Sequence, residues 1–406
     1  WNPDDTLQQL HNEFTENTIT NYYLPYSIVP NFVIDGKRYT IPMVTEESSV
    51  IAAAGKAAKF WAARGGFTAK VVSSMKTGQI HFMYYGAGDT LKTYFSCNKK
   101  KILHALSPLT KSMEKRGGGL VDIELRDRTL ELRNYYQIHC TFDTSEAMGA
   151  NFINSCLEKL AETFKKEMKR YRDFTPEERN IDIIMSILSN YAPNCMAYAE
   201  ASCKVAELNE DEIPPEEFAE KFVRAIDIAK AEPHRAATHN KGIMNGVDAV
   251  VLATGNDFRA VEAGAHSYAG RVGYSSLTHA TVEKGIFKFW IEIPLVLGTV
   301  GGVTGLHPLA KLSLEMLGNP GTGELMKIVA VAGLAQNFAA IRSLITTGIQ
   351  KGHMKMHLLN ILNQLNASGK EKEFLMDYFK DKPITHTAVA EKLKKIQKKK
   401  TGRLFL

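Results

Sequence analysis

The densest group of reactive side chains lies between Arg235 and Glu262. Arg235-Ala236-Ala237-Thr238-His239-Asn240-Lys241-Gly242-Ile243-Met244-Asn245-Gly246 leads into an apolar run and then Gly255-Asn256-Asp257-Phe258-Arg259. Ile243, Met244, Val247, Val250, Val251 and Thr254 follow the helical period, so the stretch reads as a buried helix with Asn240 as N-cap and Lys241 in its first turn. A lysine there opposes the helix dipole, which favours anions at that end. In apolar surroundings this points to a functional cation rather than a surface lysine. If the helix is unbroken, Lys241 and Asp257 stand about 24 Å apart at roughly 1.5 Å per residue. Either Gly246 or Gly255 breaks it, or the two groups meet across a two-fold dimer; the dimer is the favoured expectation.

Three other motifs carry chemistry. Glu46-Glu47 precede a helix, where they serve its dipole or, if burial raises a pKa, supply a proton. Gly352-His353-Met354-Lys355-Met356-His357 places two histidines at i, i+4. A zincin needs Glu after the first, where Met354 stands, so no metal is expected. His353, between Gly348, Gly352 and the tail, suits a general acid delivered by a hinge, or is a satisfied structural histidine. Asp143-Thr144-Ser145-Glu146-Ala147-Met148-Gly149-Ala150-Asn151 joins a strand to a helix whose N-terminus could cradle a pyrophosphate, with the acid near a ribose. Gly298-Thr299-Val300-Gly301-Gly302 has neither a Walker A nor a G-x-G-x-x-G spacing and reads as a close-approach loop.

The elements that hold these residues read as follows. A chain of 406 residues suggests two or three domains. Up to about Gly66, strands flank Asp35-Gly36 as a hairpin, and a helix capped by Ser48 or Ser49 runs from Val50 to Arg64. From Ala69 to Ala192 the pattern is β-α-β-β-α-β: Ile80–Tyr85, Leu91–Glu114, Val121–Leu125, Tyr135–Phe142, Met148–Arg170 and Ile181–Leu188. Glu207–Thr347 combines Ala- and Gly-rich helices with a strand, Ile286–Leu297. The Lys-rich tail from Leu358 is helical and reads as a mobile cap. The expected class is α+β: a large, mostly helical domain with a small sheet (1–68 and 193–352), an inserted ferredoxin-like βαββαβ small domain (69–192), and a C-terminal helical flap (353–406).

Composition excludes several classes. The net charge of +6 is mild and concentrated between Lys392 and Arg403. That run is a solvated tail or a contact for ligand phosphates; no basic, aromatic-interleaved region marks a nucleic-acid binder. No apolar run reaches the roughly 20 residues that span a bilayer, so no membrane partner is expected. Trp1-Asn2-Pro3-Asp4-Asp5 is no signal peptide, and a chain starting at Trp1 reads as lacking an N-terminal element. Cys97, Cys140, Cys156, Cys195 and Cys203 form no C-x-x-C pair, which fits a reducing, cytoplasmic setting without disulfides or zinc.

Taken together, the motifs resemble class II 3-hydroxy-3-methylglutaryl-CoA reductase over most of the chain, from Glu16-Asn17 to about His357. Thr45-Glu46-Glu47-Ser48-Ser49-Val50 is similar to the family's acidic motif, His239–Gly246 to its catalytic-lysine motif, Gly255-Asn256-Asp257 to its catalytic-aspartate motif and Gly352-His353-Met354 to its catalytic-histidine motif. The resemblance implies catalytic roles for Glu47, Lys241, Asp257 and His353. It implies substrate contacts at Ser49, Arg235, Thr238 and Asn245. Dinucleotide contacts would fall at Asp143, Met148, Gly149, Ala150, Asn151, Asn154 and Asn190. The implied ligands are hydroxymethylglutaryl-CoA, mevalonate, CoA and NADH or NADPH, with no metal. Asp143 without an adjacent Arg or Lys leans towards NADH, because an acid repels a 2′-phosphate. A homodimer with its active site at the subunit interface, or an oligomer of such dimers, is implied too. Thr20 stands where the family's dimer motif usually has Gly, and Ser48 where it has Pro. The competing expectations are another CoA-thioester or hydroxy acid oxidoreductase, and a non-catalytic CoA-ligand-binding protein on the same fold.

Overall fold

The computed structural model describes residues 3–209, 213–346, 348, 358–380 and 382–401. After a short helix α1 (Asp5–Asn12), β1 (Tyr26–Ile34) and β2 (Lys37–Val44) pair antiparallel around Asp35 and Gly36. Both turn residues have positive φ, 49° and 79°, the type I′ geometry that Asp-Gly favours. Five residues separate β2 from α2 (Val50–Ala62), which begins directly after Ser49. It buries Val50, Ala54, Ala57, Ala58 and Trp61 along one face, the spacing of a helix packed on a core.

A four-stranded antiparallel sheet in the order β3-β8-β10-β9 anchors the main core: β3 (Thr68–Ser74), β8 (Cys195–Lys204), β9 (Thr278–Glu283) and β10 (Ile286–Pro294). Only β10 is legible in sequence. In β8, inward positions are Ala197, Ala199 and Ala201, and alanine is depleted in strands, so the pattern is silent. Their small side chains let a long helix, α11 (Thr322–Ile345), lie on the strand. Among the described residues α11 is the one helix long and apolar enough to cross a membrane, which corrects the expectation that no apolar run reaches that length. Most of it is buried within the core, as a central helix of a folded domain requires. Around it pack α6 (Pro215–Ala231), α7 (Pro233–Ala253) and, beyond α7, α8 (Phe258–Ala269). α7 meets α11 closely at Gly246, where an added Cβ would lie 2.5 Å from the Ala332 carbonyl oxygen. Two short helices, α9 (Gly302–Leu306) and α10 (Pro308–Met316), precede α11.

A second sheet, in the order β5-β6-β4-β7, has its own hydrophobic cluster. Its elements run β4 (Lys76–Tyr84), α3 (Gly88–His104), α4 (Ser107–Glu114), β5 (Gly119–Asp127), β6 (Tyr135–Asp143), α5 (Ala150–Arg170) and β7 (Ile181–Ser189), all strand pairs antiparallel. This is the expected β-α-β-β-α-β order with the first helix divided in two. The expected boundary at residue 69 falls inside β3, which pairs with β8 in the first sheet, so the second sheet begins at Lys76 instead. A third cluster gathers helical residues 358–364 with Gly369–Tyr378 and His386–Thr401 around Leu362, Leu375 and Val389.

Candidate active site

α7 starts earlier than its sequence suggests. Glu232 is the N-cap, accepting from the N–H groups of His234 and Arg235, with Pro233 at the first position. Both are favoured at a helix start. Asn240 is therefore not a cap. It is fully buried, donates to the Ser275 carbonyl at 2.9 Å and accepts from the Leu277 N–H at 3.1 Å, tying mid-helix to a distant loop. Lys241 consequently lies beyond the first turn, and the dipole argument does not apply to it.

Nor is α7 buried all round. Ala236, His239, Ile243, Met244, Val247 and Val250 face the core, while Arg235, Thr238, Lys241, Asn245 and Asp248 recur at steps of three and four. That spacing makes a second, polar stripe on the outer side. It collects the three expected substrate contacts of this helix with the expected catalytic lysine. The Lys241 ammonium meets the Glu47 carboxylate, which hangs from the segment between β2 and α2 beside Ser49. Further along the stripe the Asp248 carboxyl is held well above the ordinary carboxylate range, first by burial, then by contact with Glu262 and by the charge of Glu46. The 46–47 segment thus touches the stripe at Lys241 and adds its charge to the surroundings of Asp248.

Asp257 lies elsewhere. Gly246 does not interrupt α7; the helix continues to Ala253 and ends at Thr254, with Gly255 at φ 69°. Lys241 and the helix end are about 18 Å apart at 1.5 Å per residue, and among the described residues the carboxylate paired with Lys241 is that of Glu47. Asp257 is the N-cap of α8, accepting from the Ala260 N–H at 3.0 Å. It lines a cleft of about 700 Å³ together with Met148, Gly149, Ala150, Asn151, the loop residues Gly298, Val300 and Gly301, and the start of α9. The expected catalytic aspartate and the core of the expected dinucleotide segment therefore share a cavity.

Three expected dinucleotide residues do not line it. The Asp143 carboxylate accepts from the Ser145 N–H at 2.8 Å within its own turn. Asn154 accepts from the Leu188 N–H at 2.9 Å, fastening α5 to β7. Asn190 lies where its carbonyl approaches Gly264 of α8. Conversely, the cleft contains Arg116, Asn256 and Arg259, none anticipated as ligand contacts. Arg116 stands in the Lys115-Arg116-Gly117-Gly118-Gly119 run that follows α4. His353 lies outside the described residues.

His239 sits on the inner face of α7. Its Nε2 is 2.6 Å from Thr278 Oγ1, whose hydroxyl donates to Asn337 Oδ1, so Nε2 is assigned the proton. Burial above all, then Arg235 and His279, push its pKa down to about 3. The folded ring stays neutral while an unfolded one protonates near 6.5. Its contribution to stability is complete above about pH 6.5 and is lost as pH falls towards 3. The expected result is that His239→Gln has a shallower acid limb, by up to about 1.4 kcal/mol per pH unit, in urea midpoints measured from pH 7 to 4.

Comparison with known proteins identifies the family. A profile of the hydroxymethylglutaryl-coenzyme A reductase family matches residues 3–358. The chain is 40% identical over 363 residues to the 3-hydroxy-3-methylglutaryl-coenzyme A reductase of Archaeoglobus fulgidus, covering 89% of this chain and 80% of that protein. It is 34% identical over 384 residues to a probable reductase of Borreliella burgdorferi, covering 91% and 82%. Among solved structures, the class II enzyme of Streptococcus pneumoniae bound to NADPH superposes with a TM-score of 0.77 at 37% identity, over 83% of this chain and 89% of that one. With the family match over residues 3–358 and relatives of this identity and coverage, this chain belongs to the hydroxymethylglutaryl-coenzyme A reductase family, in its class II branch.

Proposed function

We propose that the protein reduces 3-hydroxy-3-methylglutaryl-CoA to mevalonate and CoA, consuming two molecules of NADH or NADPH, or runs the reverse oxidation. The observation that carries this reading is the Lys241–Glu47 contact on a stripe that also bears Arg235, Thr238 and Asn245. A bound reduced nicotinamide dinucleotide would supply one hydride, so the four-electron reduction of the thioester to the alcohol needs two such molecules in succession. The cleft suits such a ligand: it is within the usual 300–1,000 Å³ range of ligand sites, and the N-terminus of α5 opens into it at Gly149.

The chain's own residues then divide the work. Lys241 stabilises the oxygen that gains negative charge when the thioester carbonyl is attacked. Glu47, already touching it, donates a proton in the aldehyde stage, and His353 protonates the departing thiolate. Arg235 pairs with the substrate carboxylate, a role its guanidinium geometry favours, while Ser49, Thr238 and Asn245 orient the hydroxymethyl end. The C-terminal helices close as a flap over the aldehyde stage and keep water out. The second sheet is read as a ferredoxin-like dinucleotide domain set into the substrate-binding body.

Because Lys241 lies mid-way along α7 and Asp257 beyond its C-terminal end, as the N-cap of α8, the site is assigned to a homodimer in which Asp257 of one copy approaches Lys241 of the other. Asp257 has two roles that one pair of variants separates. Asn is as good an N-cap as Asp, so Asp257→Asn should keep the melting temperature while losing at least tenfold in kcat. Asp257→Ala should lose activity and about 1 kcal/mol of stability. Full turnover in Asp257→Asn would refute the catalytic role. The lean towards NADH rested on Asp143; with that carboxylate engaged in its own turn and Arg116 and Arg259 in the cleft, both dinucleotides are supported. Initial rates with hydroxymethylglutaryl-CoA and each dinucleotide, with free thiol titrated alongside, test the proposal. Two dinucleotides oxidised per thiol released is the expected stoichiometry. One per thiol would indicate a different thioester reductase, and binding without turnover a ligand-binding protein.

A further inference from the structure

The loop before α5 is held by a buried lysine of its own sheet and by the segment that follows β10. Lys76, at the start of β4, is 3% exposed. Its ammonium donates to Thr144 Oγ1 at 2.5 Å and to the Ala147 carbonyl at 2.6 Å, and reaches the Leu297 carbonyl at 3.4 Å. Thr144 and Ala147 belong to the turn that leads into α5, whereas Leu297 follows β10 and packs in the main cluster. One buried cation therefore bridges the two bodies. Its three donors meet three oxygens, the arrangement an ammonium needs when withdrawn from water. Burial pulls its pKa below that of an ordinary lysine.

The same two loops are stitched a second time. The Glu146 carbonyl accepts from the Thr299 N–H at 2.8 Å, and its carboxylate accepts from the Thr322 N–H at 2.5 Å. A Cβ added to Gly298 would lie 2.3 Å from the Met148 nitrogen, so the backbones are in direct contact there. Both loops line the cleft that holds Gly149 and Asp257.

We propose that Lys76 is a positioning residue for the dinucleotide: it locks the 144–149 turn onto the segment after β10 and so aims the N–H groups at the start of α5 into the cleft. The inference rests on reading that cleft as the dinucleotide site. It concerns a group that does not line the cavity and that no feature of the sequence singles out.

The test compares Lys76→Met, Lys76→Arg and Thr144→Val with the unmodified protein. NADPH and NADH dissociation constants are read by energy transfer from tryptophan, with the KM for hydroxymethylglutaryl-CoA and the melting temperature measured in parallel. Losing hydrogen bonds made by a charged group is expected to weaken dinucleotide binding by about tenfold or more in Lys76→Met, with partial recovery in Lys76→Arg. The KM for the thioester should stay within about twofold, since the polar stripe of α7 is not touched; a role in folding alone would move all three readouts together. Should Lys76→Met fail to fold, Thr144→Val, which removes one acceptor of the ammonium and the hydroxyl's own donation to the Ala147 carbonyl, carries the same expectation of weakened dinucleotide binding. An unchanged dinucleotide constant in the folded variants, or a parallel loss of every readout, overturns the proposal. Absence of dinucleotide binding in the unmodified protein would instead overturn the reading of the cleft.

Discussion

Lys241→Ala should abolish most turnover while leaving the protein folded and able to bind its dinucleotide. A preorganised donor at a developing oxyanion is worth about 10²–10³ in kcat, and among the described residues no other cation pairs with Glu47. The dinucleotide constant should not move, because Lys241 is about 18 Å along the helix from the end that borders the cleft. Stability should hardly change either. The Lys241 and Glu47 side chains are 59% and 39% exposed, and ion pairs of that exposure contribute only about 0–1 kcal/mol. An unaltered melting temperature and dinucleotide constant with a kcat reduced at least a hundredfold is the expected pattern, read from calorimetry, fluorescence titration and initial rates. The shared-site reading adds a sharper check. Co-expressed Lys241→Ala and Asp257→Asn chains should recover activity that neither homodimer has, because the mixed dimer contains one complete site. Near-normal turnover in Lys241→Ala would sink the assignment of the oxyanion, and absence of recovery would sink the dimeric site.

The largest loss of stability should come from Trp61→Ala. Trp61 ends the buried face of α2 and is fully buried. Its ring packs edge-on against Phe338 of α11 at 5.1 Å and face-on against Phe287 of β10 at 6.4 Å, and it also meets Phe60 and Phe67. Helix, sheet and central helix therefore share one aromatic cluster. Truncation removes both the buried area and the neighbours' contacts, at about 3–5 kcal/mol. Trp61→Phe should be far milder, because the indole N–H is buried without a hydrogen-bond partner and its removal sacrifices no bond. Urea midpoints of the two variants decide this; equal losses would show that ring size, not truncation, dominates. Since α2 starts immediately behind the segment carrying Glu47, Trp61→Ala should also lower kcat, but less than Lys241→Ala does.

Much of this architecture is readable along the chain. The Asp35-Gly36 turn, α2, α5 and the alternation of β6 arise from neighbours within a few residues, where backbone preference and burial agree. The chemistry-bearing residue types were legible for the same reason: Glu47, Lys241 and Asp257 sit in short, dense motifs. Less was visible where the partner is remote. The alanines of β8 make a strand because β3 and β10 flank it and α11 covers it, and nothing in their own pattern says so.

Asn240 shows the limit most clearly. In sequence it resembles a cap, yet its hydrogen-bond partners are Ser275 and Leu277, and the helix begins at Pro233. The chain by itself determined which residues could react, which faces are apolar and where tight turns fall, because those follow from local sterics and periodicity. Only the tertiary structure decided that Lys241 meets Glu47, that Asp257 lines the cleft beside Gly149, and that Asp143 and Asn154 serve their own turn and sheet. Hydrogen bonds and ion pairs act over a few ångströms of space whatever the separation along the chain, so a polar residue acquires its role from what folding brings beside it.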